Sequence, residues 1–115
     1  MIENFGIGID IVDVERFRKL SYEQKTSFYN KIFTKKEIDY CMKFSNPYPH
    51  FAGKFAIKES VIKAIGQKIS LLSIITDHEN SIPTVKVENF SEYNFKVSVS
   101  HEESFAMAVV ISERI

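Results

Sequence analysis

Residues 50–66 read HFAGKFAIKESVIKAIG, and the reading of this stretch decides the fold. Projected at 100° per residue, Phe51, Phe55, Ile62 and Ile65 fall close together, which predicts a helix with an apolar face. Gly66 is a natural stop, because glycine closes a helix with little strain. Lys54 and Lys58 stand i, i+4 within or beside the apolar stripe, where a charge is costly unless it is partnered. Glu59 and Lys63 make a second i, i+4 pair on the adjacent edge. One reading is structural: lysines that snorkel out of the stripe, and a surface ion pair worth about 0.3–0.5 kcal/mol. The other is a carboxylate flanked by ammonium groups at a polyphosphate and its metal.

Upstream of this helix, Phe5 to Val12 alternates as a strand, with Ile7, Ile9 and Ile11 on one face and Gly6, Gly8, Asp10 and Val12 on the other. Asp and Gly are poor strand residues, so something nearby must compensate Asp10 or the strand ends there. Asp13 can cap a short helical segment over Val14–Phe17. A second helix is predicted from Tyr22 to about Ile32, with Phe28 and Ile32 at i, i+4. Thr34-Lys35-Lys36-Glu37 has the spacing of a capping box, so a third helix starts there and ends near Phe44. Ser45 to Pro49 reads as a turn. Downstream, strands are expected at Leu71–Thr76, Thr84–Val87, Phe95–Ser100 and Phe105–Ile111. One strand, several helices and then a run of strands predicts an α+β fold, a mainly antiparallel sheet packed on a long central helix.

The chain has 115 residues and no repeat or long linker, which predicts one domain over residues 1–115. A lone Cys41 rules out an internal disulfide framework. No apolar run is long enough for a membrane span, and the first residues carry no export signal, so a soluble, cytoplasmic protein is expected. The net charge is zero but unevenly placed: residues 1–68 hold 12 Lys+Arg against 8 Asp+Glu, and residues 69–115 hold 3 against 7. That overall neutrality argues against a nucleic-acid partner, while the basic front half suits a phosphate ligand or an acidic protein.

Three features resist a purely structural reading. Asp10 sits in a strand that disfavours it. Glu59 sits among lysines. Hard cations such as Mg²⁺ take carboxylate oxygens and keep waters and substrate phosphates as further ligands, so Asp10 and Glu59 are the candidate metal pair. His101 opens the polar cluster His101-Glu102-Glu103 at a strand end, where sites often lie. His50 and His78 have no spacing that would make a zinc set with Cys41. There is no glycine-rich phosphate loop, nucleophile elbow or C-x-x-C motif.

Taken in order, these pieces resemble a known family. Gly6-Ile7-Gly8-Ile9-Asp10-Ile11-Val12 with Arg16 is similar to the opening of the holo-acyl-carrier-protein synthases. Lys31-Ile32-Phe33-Thr34 with Glu37 resembles that family's next motif. Phe51 to Ser60, with Lys63-Ala64-Ile65-Gly66, resembles its signature helix, and Val97 to Glu102 its late strand-to-loop motif. The resemblance implies a 4′-phosphopantetheinyl transferase fold and a transfer of the 4′-phosphopantetheine arm from coenzyme A to a serine of an apo acyl carrier protein. It implies that Asp10 and Glu59 bind Mg²⁺, with Asp10, Glu59 and Lys63 catalytic and Glu59, directly or through water, taking the serine proton. Lys54, Lys58, Lys63, Ser100 and His101 would hold coenzyme A, and Arg16 would face the carrier protein of fatty acid or polyketide synthesis. Short members of the family resemble homotrimers with sites between subunits, so a trimer is expected here.

The chain departs from the family in having Lys54 where Arg is common, and Lys cannot make the same bidentate fork. It also lacks an extra glycine near Gly66-Gln67-Lys68-Ile69 and a usual glycine in Asn80-Ser81-Ile82-Pro83. The alternative reading is a non-catalytic module that binds coenzyme A or a carrier protein. A metal-dependent phosphoester hydrolase is a third, less favoured because no acid cluster supplies its water.

Overall fold

The computed structural model describes residues 2–115; Met1, which the expected domain and the export-signal reading include, lies outside the described residues. In chain order the elements are β1 (Phe5–Asp13), α1 (Glu15–Arg18), α2 (Thr26–Asn30), α3 (Lys35–Met42), α4 (Tyr48–Ile65), β2 (Ile74–Glu79), β3 (Ile82–Val87), β4 (Tyr93–His101) and β5 (Phe105–Arg114). Two antiparallel sheets result: one ordered β1-β5-β4, the other the β2-β3 hairpin. Helix α4 runs against both, and the expected α+β architecture on a central helix is what the chain forms. Among the described residues no helix is long and apolar enough to cross a membrane.

Local chemistry explains most boundaries. Helix α3 starts at a complete capping box: Glu37 N–H donates to Thr34 Oγ1 at 3.2 Å and Thr34 N–H donates to Glu37 Oε1 at 2.8 Å. Helix α4 begins two residues before the expected start, because Pro47 and Pro49 fall where the first turn has no N–H to lose. It ends at Gly66, left-handed at φ 79°. Asp13 does hold the start of α1, accepting from Glu15 N–H at 2.9 Å.

Three local expectations are corrected. The second helix is only Thr26–Asn30, because Ser21 to Lys25 close a turn on the Ser21 carbonyl. The residue it buries is Tyr29 rather than Phe28; the Tyr29 hydroxyl donates to the Leu20 carbonyl at 2.6 Å. Leu71–Ser73 is a 3₁₀ turn rather than strand, because the Leu71 carbonyl turns inward to meet Lys58.

A fourth finding fixes which face of β1 packs inward. Gly6, Gly8, Asp10 and Val12 form the side of β1 that lies on α4, and Ile7, Ile9 and Ile11 are 70%, 57% and 59% exposed. A Cβ at Gly8 would overlap the Ser60 carbonyl oxygen, and one at Gly6 the Ala64 carbonyl oxygen. The glycines that weaken a strand on paper are what let helix backbone approach sheet backbone here. Gly8→Ala is therefore expected to cost about 2 kcal/mol or more, read as a lower midpoint in urea denaturation.

Candidate active site

Along α4 the chemistry-bearing residues separate into two groups and a buried centre. At the first group Asp10, opposite Ala108 in the β1–β5 ladder, faces the helix. The Lys63 ammonium reaches over from α4 and donates to Asp10 Oδ1 at 3.2 Å and to the Ile9 carbonyl at 2.9 Å. Ser60 Oγ, one turn back, donates to the Ala108 carbonyl at 3.2 Å, which pins the same stretch of sheet to the helix. Glu59 follows on the adjoining edge, half-buried, beside a surface hollow lined by Ile62, Lys68 and Ser70. The expected Glu59–Lys63 ion pair does not form; Lys63 turns to the strand and satisfies Asp10 instead. That answers how a carboxylate survives in β1.

The centre is a buried ion pair. Lys58 has no exposed side-chain surface, and its ammonium donates to Glu37 Oε1 at 2.8 Å, the Ile32 carbonyl at 2.7 Å and the Leu71 carbonyl at 2.9 Å. An ammonium has three donors, and all three are used. Lys58, expected to help hold coenzyme A, therefore has no free donor in this arrangement; it ties α3, α4 and the approach to β2 together. Burial pushes the Glu37 carboxyl up, but the Lys58 ammonium and hydrogen bonds from Thr76 and Thr34 outweigh it and hold the group below the usual carboxylate value.

The second group lies around Lys54. Its ammonium is almost fully buried, donates to Thr76 Oγ1 at 3.0 Å and sits 4.7 Å over the Tyr40 ring. Thr76 Oγ1 in turn donates to Glu37 Oε2 at 2.6 Å, so Glu37 positions Lys54 through Thr76 while it pairs with Lys58. With one hydrogen bond among the described residues, Lys54 keeps two N–H donors for an incoming oxygen. Burial lowers its pKa below the ordinary lysine value. The adjoining cavity of about 90 Å³ is walled by Lys54, His50, His78, His101 and Tyr40.

Of the residues expected from sequence, Asp10 and Lys63 are in contact, Glu59 is on the neighbouring helix edge, and Lys54 and His101 share the cavity. Ser100 is not with them: strand alternation sends it, with Ser98 and Lys96, to the outer face of β4, opposite His101. Arg16 is exposed on α1, its guanidinium 5.5 Å from the Phe55 ring centroid. Among the described residues no cluster of three or more His, Cys, Asp or Glu side chains is placed to hold a metal. Two carboxylates alone suit only a cation that keeps water and substrate oxygens as ligands.

Glu37, Thr76, His50 and His78 were not singled out as site residues. Spacing carried part of the signal: His50 and Lys54 stand i, i+4 on one helix, and Thr76 and His78 stand i, i+2 on one strand. Those are the two periodicities that bring side chains to one face. That the two faces meet is a fact of tertiary structure.

A helix laid on an antiparallel sheet, with a strand carboxylate bonded to a helical lysine, matches a defined class. Residues 6–110 match the model of the 4′-phosphopantetheinyl transferase superfamily, and the chain belongs to that family. Its relatives are more specific. It is 41% identical over 114 residues to the holo-[acyl-carrier-protein] synthase of Thermodesulfovibrio yellowstonii, covering 96% of this chain and 98% of the relative. It is 35% identical to that of Chlamydia caviae over 92% of this chain and 94% of the relative. Among solved structures, the Bacillus anthracis holo-(acyl-carrier-protein) synthase, in complex with CoA (3′,5′-ADP), superposes with a TM-score of 0.83 at 29% identity, covering 96% of each chain. The Helicobacter pylori synthase in complex with coenzyme A gives 0.82 at 29% identity, covering 93% of this chain and 99% of that one.

Proposed function

We propose that this chain transfers the 4′-phosphopantetheine arm of coenzyme A to a serine of an apo acyl carrier protein, in the cytoplasm and with Mg²⁺, as a step that serves fatty acid synthesis. Membership of the family and the names of the relatives support the reaction class. The observation in this chain that carries the reading is the Lys63–Asp10 contact, which joins an ammonium to a carboxylate where sheet and helix meet, with Glu59 on the adjoining edge of the same helix.

The chemistry follows from those groups. The serine oxygen attacks the phosphorus that bears pantetheine, a P–O bond forms, and the P–O bond to adenosine 3′,5′-bisphosphate breaks. Asp10 and Glu59 would hold Mg²⁺, whose charge, when it is bound, stabilises the diphosphate and its leaving oxygen. Lys63 orients the Asp10 carboxylate and keeps one donor for a phosphate oxygen. Glu59, directly or through water, accepts the serine proton. Lys54, held by Thr76, and His101 bind the anionic end of coenzyme A. Arg16, on the basic front half, meets the acidic carrier. The test is release of adenosine 3′,5′-bisphosphate from coenzyme A. The release is expected only with Mg²⁺ and an apo carrier, and not with a carrier whose acceptor serine is alanine. Equal release without carrier contradicts the reading and favours hydrolysis; coenzyme A binding without release favours the non-catalytic module.

Self-association as a homotrimer belongs to the same reading. Ile7, Ile9 and Ile11 on β1, with their β5 neighbours Met107 and Ile111, make an uncovered apolar face on one side of the sheet. Covering it with a second copy would also bring Ser100, on that side of β4, to the subunit boundary. Light scattering is expected to give the mass of three chains for the unaltered protein and of one chain for Ile9→Glu. A monomeric unaltered protein at micromolar concentration contradicts this.

A further inference from the structure

The cavity beside Lys54 is walled by three imidazoles drawn from three elements. His50, in the first turn of α4, stacks on Phe44 with centroids 3.6 Å apart and meets the His101 ring of β4 edge-on at 4.8 Å. His78, on β2, stacks on Tyr40 of α3 at 4.9 Å, the same ring that carries Lys54. Each imidazole is thus braced by an aromatic partner with its neighbours close by. Of the carboxylates nearby, Asp77 accepts from Lys36 at 2.9 Å and Glu37, behind Thr76, pairs with Lys58, while Glu79 and Glu102, next in sequence to His78 and His101, are exposed to solvent. Lys43 lies 5.1 Å from the Tyr40 ring centroid and adds a further cation nearby.

Two of these rings, His50 and His78, resist protonation. Burial, then His101, Lys54 and His78, hold His50 below the ordinary histidine value. Burial, then Lys54, do the same for His78, with Asp77 pulling the other way. A dianion at hydrogen-bond distance reverses that field and favours the imidazolium. Lys54 alone is a single point charge and cannot grip a phosphate in two places.

Coenzyme A carries a diphosphate and one phosphomonoester. On the proposed function, on which this inference rests, the diphosphate belongs with Asp10, Glu59 and Lys63. Lys54 and His50 lie five and nine residues before Glu59, about 7 and 13 Å along the helix axis. We propose that His50 and His78 are proton-linked ligands of the co-substrate's phosphomonoester, each taking a proton from bulk water as the phosphate enters beside Lys54.

The test is calorimetric titration of the full chain with coenzyme A and Mg²⁺ at pH 7.5, in two buffers of different ionisation enthalpy. The phosphomonoester, with a second pKa near 6, is already a dianion there, so proton uptake reports on the protein. Net uptake of about 0.4 proton is expected with coenzyme A and little with 3′-dephospho-coenzyme A. Affinity for coenzyme A is expected to fall about tenfold between pH 6.5 and 8, and that for the dephospho form less than about twofold. The double variant His50→Gln, His78→Asn is expected to lose more than half the uptake. Because that variant alters two stacked rings, the unaltered protein supplies a second measure. NMR titration of the His50 and His78 rings is expected to show each pKa rising by about one unit when adenosine 3′,5′-bisphosphate is bound. No uptake, equal uptake with the dephospho form, or unmoved ring titrations overturn the proposal while leaving the transferase reading intact. Failure of the unaltered protein to bind coenzyme A at any pH overturns both.

Discussion

Asp10→Ala and Glu59→Ala are each expected to lower transfer by on the order of 10³-fold or more while the chain stays folded, as measured by carrier modification at saturating coenzyme A. The size of the effect follows from the charge at stake. Transfer between phosphate oxygens builds negative charge that a cation and ammonium groups can stabilise, and on the proposed function Asp10 and Glu59 are the carboxylates that hold that cation. Asp10→Ala also strips Lys63 of its carboxylate partner, leaving it only the Ile9 carbonyl, so the lysine is expected to be misplaced as well. Neither carboxylate is a core residue, so circular dichroism and the denaturation midpoint should change little. If either variant keeps full activity at limiting Mg²⁺, the assignment of the metal pair is wrong.

The largest effect on stability is expected at the buried pair. Lys58→Ala leaves Glu37 ionised in the core without its ammonium, and Glu37→Ala leaves Lys58 without its carboxylate. Removing one member of such a pair costs about 3–5 kcal/mol. Glu37→Ala should be the worse of the two, because the same side chain completes the α3 capping box and anchors Thr76, both through its backbone N–H and through its hydroxyl. A fall in melting temperature of about 10 °C or more is the expected reading for both. Lys58→Met, which fills the space but leaves the acid alone, should rescue little. Conversely, if Lys58→Ala unfolds at the unaltered midpoint and loses coenzyme A affinity instead, Lys58 is a phosphate ligand after all.

Much of this molecule was legible one element at a time. The α4 pattern, its Gly66 stop, the Thr34–Glu37 capping box and the alternation of β4 all rest on local periodicity, and all form. The features that could not be read depend on partners far along the chain. Lys58 looked like a surface or phosphate lysine because its acceptors come from Ile32, Glu37 and Leu71, which no helical wheel of residues 50–66 contains. Which face of β1 packs inward was not legible for a related reason: isoleucines normally point inward, but at Gly6 and Gly8 the requirement is close contact of two backbones, and the isoleucines are left outside. The candidate site divides in the same way. Asp10 and Glu59 stood out because their residue type was wrong for their surroundings. His50 and His78 did not, because isolated histidines are common and only the meeting of α4 with β2 brings them together.

The central claim is that the Asp10, Glu59 and Lys63 cluster transfers an intact phosphopantetheine group. Its most direct test is the mass of an apo acyl carrier protein after incubation with this protein, coenzyme A and Mg²⁺. The account predicts a single added 4′-phosphopantetheine group on the carrier, absent with Asp10→Ala or Glu59→Ala. A carrier of unchanged mass, across several carriers of fatty-acid and polyketide type, would contradict it.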